Sequence, residues 1–334
     1  MKDIEIFKGK RFEIRNYLDG DFRKEMIRDI SEGMTQSQKF IPCKYFYDAS
    51  GSHLFEQICS TQEYYLTRTE LSILGQSAPQ IMKFFSSKGG DLIELGSGSH
   101  RKIRKLLDAV HSSRLSKIRY VPVDISESAL LDSSKNLSAL YEDLKILGII
   151  ADFTRHVDVI PQGRKLITFL GSTIGNFTDE EGMAFLKSVK GIMNPDDRFL
   201  LGMDLVKSLD IIEAAYNDEM GLTRAFNLNI LTHINRELNA DFNPDNFEHL
   251  AFFNAENEQV EMHLRARCAV RVSISDLSLS VDFKEGETIH TETCRKFHRE
   301  SADRKFKKAG LSVAEWFTDP KGWFSLTELK TANS

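Results

Sequence analysis

The chain has 334 residues, of which 41% are hydrophobic and 28% charged, and its formal net charge is −5. This length allows one large domain or two moderate ones with their own cores. The acidic balance, without a basic block interleaved with aromatics, argues against nucleic acid as a partner. No apolar run reaches the length of a membrane span, and residues 1–8 lack a signal-peptide core, so we expect a soluble, cytoplasmic protein with no membrane contact.

The four cysteines and nine histidines are dispersed along the chain. No C-x-x-C spacing and no H-E-x-x-H occurs, so we expect neither a disulfide framework nor a metal site. No coiled-coil repeat is evident, which favours a monomer.

The regular pattern begins at Thr67–Glu70, which has the spacing of a capping box and predicts that a helix starts there. Apolar strands then alternate with helical stretches such as Glu127–Leu144 and Glu180–Ile192. This alternation predicts an α/β fold with a doubly wound parallel sheet. The predicted strands are Asp91–Leu95, Tyr120–Val123, Ile146–Ile150, Leu166–Leu170 and Phe199–Met203.

A glycine turn follows the first of these strands. Gly96 and Gly98 allow backbone N–H groups to approach a ligand, and Asp124 ends the next strand at about the spacing of a ribose-binding carboxylate. Glu94 would repel phosphate, and Arg101 stands where a dinucleotide fingerprint has its third glycine. The turn therefore suits S-adenosylmethionine better than a dinucleotide and predicts methyl transfer, with a purely structural strand-turn as the alternative.

The loops that follow the parallel strands meet at one edge of such a sheet, because the crossovers are right-handed. We therefore expect Gly96, Asp124, Asp152 and Gly171 to line a single crevice.

After Asp204 the alternation stops, and the pattern predicts an inserted α+β lobe that binds the substrate. We assign the segment before Thr67 to this lobe as well, because it precedes the sheet and needs a partner to bury against. The lobe's predicted helices are 211–216 and 228–238, and its strands lie in 260–272 and 277–283. A helix at 297–309 and strands at 313–317 and 323–329 are expected to complete the sheet. The expected domains are 62–208 with 286–334 for the cofactor, and 1–61 with 209–285 for the lobe.

Eight segments follow one another in a recognisable order: Tyr45–Ser52, Glu63–Glu70, Glu94–Ser99, Phe169–Phe177, Asp204–Lys207, Ala225–Leu231, Asn235–Leu238 and Thr291–Phe297. Through them the chain resembles the ergothioneine-pathway L-histidine Nα-methyltransferases. The resemblance implies a class I methyltransferase (Rossmann-like) fold with a substrate lobe. It also implies trimethylation of the α-amine of histidine to hercynine with S-adenosylmethionine.

The resemblance and the glycine turn together imply a methyl-donor site. Asp124 would take both ribose hydroxyls, and Asp152 would accept from the adenine amine. The alternatives are solvated strand-end carboxylates and, for Lys102, a charge on a helix face. The implied donor contacts are Glu94, Gly96, Gly98, Lys102, Asp124, Asp152 and Phe153.

The resemblance also implies an amino acid site. Asn176 and Tyr216 would bind the carboxylate, and the Gly171 carbonyl would face the α-amine, with Tyr47 or a water relaying the proton. Glu292 would accept from the imidazole N–H. Tyr47, Phe55 and Met262 could instead be core residues, and Glu292 a surface residue. The implied substrate residues are Tyr47, Phe55, Tyr64, Gly171, Asn176, Tyr216, Met262, Glu292 and Cys294, of which Tyr47, Gly171 and Asn176 are the expected catalytic residues.

Cys294 departs from the family pattern, which has a serine two positions after the acidic residue. A thiol is a weak hydrogen-bond donor and would hold a ring nitrogen less firmly. Methylation of another aromatic amino acid, such as a tryptophan derivative, and a non-catalytic ligand-binding role are therefore the alternatives. Glu292 favours histidine.

Overall fold

A computed structural model describes residues 6–8, 11–18 and 22–332 of the chain. Within these ranges no helix combines the length and apolarity needed to cross a bilayer, and no cluster of His, Cys, Asp or Glu is arranged to hold a metal ion. The chain divides into two compact units. The first contains the described residues of Met1–Asp19, Arg68–Leu205 and Phe297–Ser334, and the second those of Gly20–Thr67 and Val206–Lys296.

The described residues form fifteen strands and ten α-helices. The strands are β1 (Ile6–Lys8), β2 (Phe12–Asn16), β3 (Lys39–Phe40), β4 (Gly90–Leu95), β5 (Ile118–Asp124), β6 (Lys145–Ile150), β7 (Lys165–Phe169), β8 (Arg198–Asp204), β9 (Phe247–Asn254), β10 (Gln259–Ala266), β11 (Val270–Ile274), β12 (Leu279–Phe283), β13 (Thr288–Arg295), β14 (Leu311–Thr318) and β15 (Phe324–Thr331). The helices are α1 (Phe22–Thr35), α2 (Ala49–Ile58), α3 (Tyr65–Lys88), α4 (Arg101–Asp108), α5 (Ser112–Leu115), α6 (Glu127–Leu140), α7 (Asp179–Ile192), α8 (Leu209–Ala214), α9 (Leu222–Leu238) and α10 (Arg299–Lys308).

The first unit is built on one sheet with the strand order β1-β2-β6-β5-β4-β7-β8-β15-β14. The strands from β2 to β8 in this order are parallel, whereas β15 is antiparallel to both of its neighbours, β8 and β14. The chain moves outward from β4 in one direction through β5 and β6, and in the other through β7 and β8. The predicted doubly wound sheet is therefore confirmed, and its topological switch point lies beyond the carboxyl ends of β4 and β7, where such sheets bind ligands.

The strand β4 is buried from Asp91 to Leu95 because both faces of the sheet are covered. Successive side chains point to opposite faces. Leu92 packs with Leu106 and Phe324 on one side, while Ile93 and Leu95 belong to the core on the other side. Burial on both faces fixes the position of β4 within the sheet. It thereby also fixes the position of the turn that follows the strand.

The second unit combines α1, α2, α8 and α9 with a four-stranded sheet, β3-β13-β10-β9, and the hairpin β11-β12. Helix α9 buries Ile230, Leu231 and Ile234 completely. In the antiparallel pair β10-β13, Met262 lies opposite Glu292. Residues directly opposite each other in such a pair share a face of the sheet.

The prediction that a helix starts with a capping box at Thr67 is wrong. Helix α3 begins at Tyr65, so Thr67 lies inside its first turn. The hydroxyl of Thr61 accepts the N–H of Tyr64 at 3.3 Å just before the helix. The Thr-x-x-Glu pattern has a different cause, since Glu70 bonds elsewhere, as described below.

Other bounds also differ from those expected. Strand β2 extends the large sheet through parallel pairing with β6 and does not belong to the lobe, while residues 1–5, 9–10 and 19–21 lie outside the described ranges. The run 260–272 divides into β10 and β11, which belong to different sheets, and β13 lies in the second unit. Helix α6 ends at Leu140 because Tyr141 has extended backbone angles. In each case a distant pairing partner or a local backbone turn determines where the element ends or to which sheet it belongs.

Truncation of Leu326 should test the antiparallel strand β15. This side chain is fully buried, so Leu326→Ala should lower the free energy of unfolding by about 2–5 kcal/mol through lost apolar contact and a cavity. Urea denaturation followed by circular dichroism measures this loss. Leu140→Ala is the matched control, since Leu140 is 50% exposed and should change stability by about 0.5 kcal/mol or less. Equal losses would contradict the assigned packing.

Candidate functional site

The turn after β4 has a backbone conformation that favours glycine. Gly96 has φ +66° and Gly98 has φ +41°, both in the left-handed region. The N–H of Gly96 donates to the Val123 carbonyl at 2.9 Å, which ties the turn to the end of β5. A Cβ at Gly98 would meet no atom within 4 Å, so open space lies beside the turn.

The carboxylate of Asp124 lies against this turn. Its Oδ2 accepts the Gly98 N–H at 3.0 Å, and its Oδ1 accepts the Ser126 N–H at 2.9 Å. Burial raises the pKa of Asp124, and the backbone donors partly offset that effect. Each carboxylate oxygen has a second acceptor position, so two neighbouring hydroxyls could donate to it.

Glu94 is a buried carboxyl group beneath the same turn. The Tyr120 hydroxyl donates to Glu94 Oε2. Burial raises the pKa of Glu94 to about 8, with Tyr120 and Lys102 acting in the opposite direction and Asp124 and Glu70 adding to the rise. A cation bound here would favour the ionised carboxylate, because an opposite charge nearby lowers the pKa of an acid.

Glu70 is a site residue that was not among the predicted ones. Its fully buried carboxylate accepts the Gly171 N–H at 2.8 and 3.0 Å and pairs with Lys102 Nζ at 2.8 Å. The sequence carried a signal, because Glu70 lies on the apolar stripe of α3, one turn from the buried Leu66 and Leu74. A role for Lys102 toward the methyl donor stays a prediction.

The segment after β6 lies beside the glycine turn. A Cβ at Gly96 would come within 3.5 Å of the Phe153 ring, which packs edge-on against Phe169 at 5.3 Å between centroids. Asp152 Oδ1 accepts both the N–H and the hydroxyl of Thr154, at 2.8 and 2.6 Å. The structure therefore places Phe153 at the turn, with Asp152 as its neighbour in sequence.

The loop after β7 is held in a defined conformation. Gly171 has φ +84° and Ser172 φ +60°, and the Ser172 hydroxyl oxygen accepts the Asp204 N–H at 2.9 Å. A 3-10 turn, Thr173–Asn176, follows and ends at the half-buried Asn176. Both predicted substrate residues of the first unit therefore belong to one fixed loop at the carboxyl edge of the sheet.

The second unit contains a cluster of aromatic rings that includes four of the predicted substrate residues. Tyr47 and Phe55 lie 5.6 Å apart, Phe55 and Tyr64 6.1 Å, and Tyr64 and Tyr216 6.4 Å between centroids. Phe226, which was not predicted, contacts both Tyr47 and Phe55 at 5.7 and 5.9 Å. It lies on the buried face of α9, where the helical pattern alone indicates a core residue.

Glu292 faces this part of the second unit. It shares a face of the β10-β13 pair with Met262 and with Cys294, two residues further along the strand. Although Tyr47 is 40% exposed, desolvation and then the charge of Glu292 raise the pKa of its phenol well above the usual value. The phenol and the carboxylate are therefore close enough to interact.

Tyr216, Cys294 and Lys296 form a buried polar cluster. The Tyr216 hydroxyl donates to Cys294 Sγ at 2.8 Å and accepts from Lys296 Nζ at 2.9 Å. Lys296 Nζ also lies 3.2 Å from Sγ and 4.8 Å from the centre of the Tyr216 ring. The thiol is thus engaged as an acceptor by two protein groups. Lys296, directly after β13, was not predicted, since a lysine is usually exposed.

Comparisons with known proteins give consistent matches. A family model described as histidine-specific methyltransferase, SAM-dependent, matches residues 26–331. The chain is 43% identical over 317 residues to a histidine N-alpha-methyltransferase of Mycolicibacterium smegmatis, covering 94% of this chain and 98% of the relative. It is 40% identical over 319 residues to that of Mycobacterium tuberculosis, covering 95% and 98%. Ergothioneine biosynthesis protein 1 of Neurospora crassa is 29% identical over 296 residues, covering 83% of this chain and 32% of that longer protein.

Glu94→Gln should change how the stability of the ligand-free protein depends on pH. The pKa of Glu94 is raised from its ordinary 4.5 to about 8, so the folded state retains a proton that the unfolded state loses. Wild-type stability should therefore fall relative to the variant as the pH rises from about 5 to about 9. Thermal melts across this range measure the difference, with the exposed Glu142→Gln as the control for losing one acidic group. A difference that does not vary with pH would refute the assigned environment.

Proposed function

The chain belongs to the family of histidine-specific, S-adenosylmethionine-dependent methyltransferases, and from this premise we propose that it methylates the α-amine of L-histidine. The family match confirms the resemblance found in the sequence, the enzyme class and S-adenosylmethionine as the methyl donor. We propose the trimethylated betaine hercynine as the product, made for ergothioneine biosynthesis. A monomeric state and a cytoplasmic location stay predictions from the sequence.

The first unit has the groups that such a donor requires. Asp124 keeps two acceptor positions for ribose hydroxyls, and Gly98 leaves open space beside them. Glu94 adds a carboxyl group that suits a cationic ligand. When bound, S-adenosylmethionine supplies an electrophilic methyl group on a sulfonium centre. Asp152 and Phe153 are proposed to contact the adenine.

The observation that supports histidine is the carboxylate of Glu292 beside an aromatic wall. A carboxylate accepts strongly from an imidazole N–H, and the rings of Tyr47 and Phe55 suit a flat side chain. Met262 lies on the same sheet face and would pack against the ring. The roles of Asn176 and Tyr216 toward the carboxylate of the amino acid, and of the Gly171 carbonyl toward its amine, stay predictions from the resemblance. Tyr64 completes the aromatic wall.

The chain supplies position and hydrogen bonds for the transfer, and no strong base is required. An α-amine with a pKa of about 8, somewhat higher in a free amino acid, keeps a usable neutral fraction near pH 7. The raised pKa of Tyr47 keeps this residue a neutral phenol, so a proton relay through it would not involve a free phenolate. Catalysis then depends mainly on holding the nitrogen in line with the methyl group.

Incubation with deuterium-labelled S-adenosylmethionine tests the proposal. Histidine, tryptophan and other free amino acids are supplied in turn, and the products are read by mass spectrometry. We expect labelled hercynine from histidine, preceded by the mono- and dimethylated forms. Turnover of a tryptophan substrate alone would assign the enzyme to another aromatic amino acid, and binding of both ligands without product would indicate a non-catalytic protein.

Glu292→Ala should weaken histidine binding specifically. Loss of a hydrogen bond to a charged group costs about 1.5–3 kcal/mol, so KM for histidine should rise about 10- to 150-fold. The affinity for S-adenosylhomocysteine, measured by titration calorimetry, should stay within about threefold. Glu261→Ala is the control, because Glu261 lies next to Met262 on β10 and therefore points to the opposite face of the same sheet. Equal effects of both variants on KM would remove the proposed imidazole contact.

A further inference from the structure

Glu70 connects three elements of the first unit from a fully buried position. Its carboxylate, on α3, accepts the N–H of Gly171 after β7 and the ammonium of Lys102 on α4. Burying a carboxylate is costly unless it is paired and hydrogen-bonded. Both of its oxygens are used here, so the contact with Gly171 has a defined geometry.

The neighbouring strand β8 leaves room for this carboxylate. A Cβ at Gly202 would lie 2.3 Å from Glu70 Oε1 and 3.3 Å from the Gly171 nitrogen. Any larger residue at 202 would therefore displace the carboxylate or the loop. The glycine is required for space, since its φ is not in the left-handed region.

The peptide between Leu170 and Gly171 is held at both of its polar ends. Glu70 takes its N–H, and the Thr173 hydroxyl donates to its carbonyl oxygen, that of Leu170, at 3.0 Å. The plane of this peptide is therefore fixed, and the φ of +84° at Gly171 then sets the position of the next carbonyl carbon, that of Gly171 itself.

We propose that Glu70 is a positioning residue, which fixes the Gly171 carbonyl in the orientation that receives the substrate amine. This inference rests on the proposed function. Glu70 acts through the loop and does not itself touch the reacting atoms. The reaction needs the amine held in line with the methyl group, and a misplacement of about 1 Å can cost about 100-fold in rate.

A matched control exists at the amino end of β7. Asp197 is also fully buried, and it accepts the N–H of Lys165, the first residue of β7, at 2.8 Å and the ammonium of that lysine at 3.3 Å. Glu70 and Asp197 therefore make the same kinds of bonds at the carboxyl and amino ends of β7. Only the carboxyl end lies at the ligand-binding edge.

Three single variants, Glu70→Gln, Gly202→Ala and Asp197→Asn, are compared with wild type. Glu70→Gln removes the charge at nearly constant volume, while Gly202→Ala keeps the carboxylate and displaces it. The measurements are Tm, kcat and KM for histidine, the Kd of S-adenosylhomocysteine, and amide hydrogen exchange of peptides that cover 170–177.

We expect Glu70→Gln and Gly202→Ala to lower kcat about tenfold or more and to speed exchange in 170–177, with Kd within about threefold. Asp197→Asn should lower Tm without these effects. Unchanged kcat in Glu70→Gln, or an equal loss in Asp197→Asn, would overturn the inference. Absence of histidine methylation by wild type would instead contradict the proposed function. In that case hydrogen exchange alone would decide whether Glu70 holds the loop. Unchanged exchange of 170–177 in Glu70→Gln would overturn the inference.

Discussion

A carboxyl group inside a protein must be paired or hydrogen-bonded, and the carboxyl edge of the large sheet depends on meeting this requirement three times. Glu94 is bonded by a buried tyrosine, Asp124 by backbone N–H groups, and Glu70 by a lysine and the Gly171 peptide. These bonds hold the glycine turn, the end of β5 and the loop after β7 in place. Glu94 and Asp124 provide acidic surroundings that suit a cationic methyl donor, whereas the charge of Glu70 is balanced by Lys102.

The sheet could be predicted because its strands are buried on both faces and therefore appear as continuous apolar runs. The five central strands lie within one or two residues of their expected bounds, from β4 to β8. The pairing of β2 with β6 could not be predicted, since a short strand carries no signal for a partner more than a hundred residues away. The Thr67–Glu70 pattern predicted a helix start wrongly, because its spacing is that of a capping box. Here Glu70 is instead a buried carboxylate inside a helix.

Some residues of the candidate site could likewise be predicted from the sequence, and others could not. Asp124 and the glycines could be predicted from local spacing, and the aromatic wall with Glu292 from the resemblance. Glu70, Phe226 and Lys296 were missed because each looks ordinary among its neighbours in the sequence and gains its role through contacts with distant residues. Glu70, for example, is separated from Gly171 by 101 positions. Cys294, expected to be a weak donor to the substrate, is an acceptor for Tyr216 and Lys296.

The claim that the methyl donor binds at this edge is tested most directly at Asp124. Calorimetric titration of wild type and Asp124→Asn with S-adenosylhomocysteine measures what the carboxylate contributes. Hydrogen bonds to a charged group contribute about 1.5–3 kcal/mol each, so we expect the variant to bind at least about tenfold more weakly while it still folds. An unchanged Kd in a folded variant would contradict the assignment of the donor site to this turn.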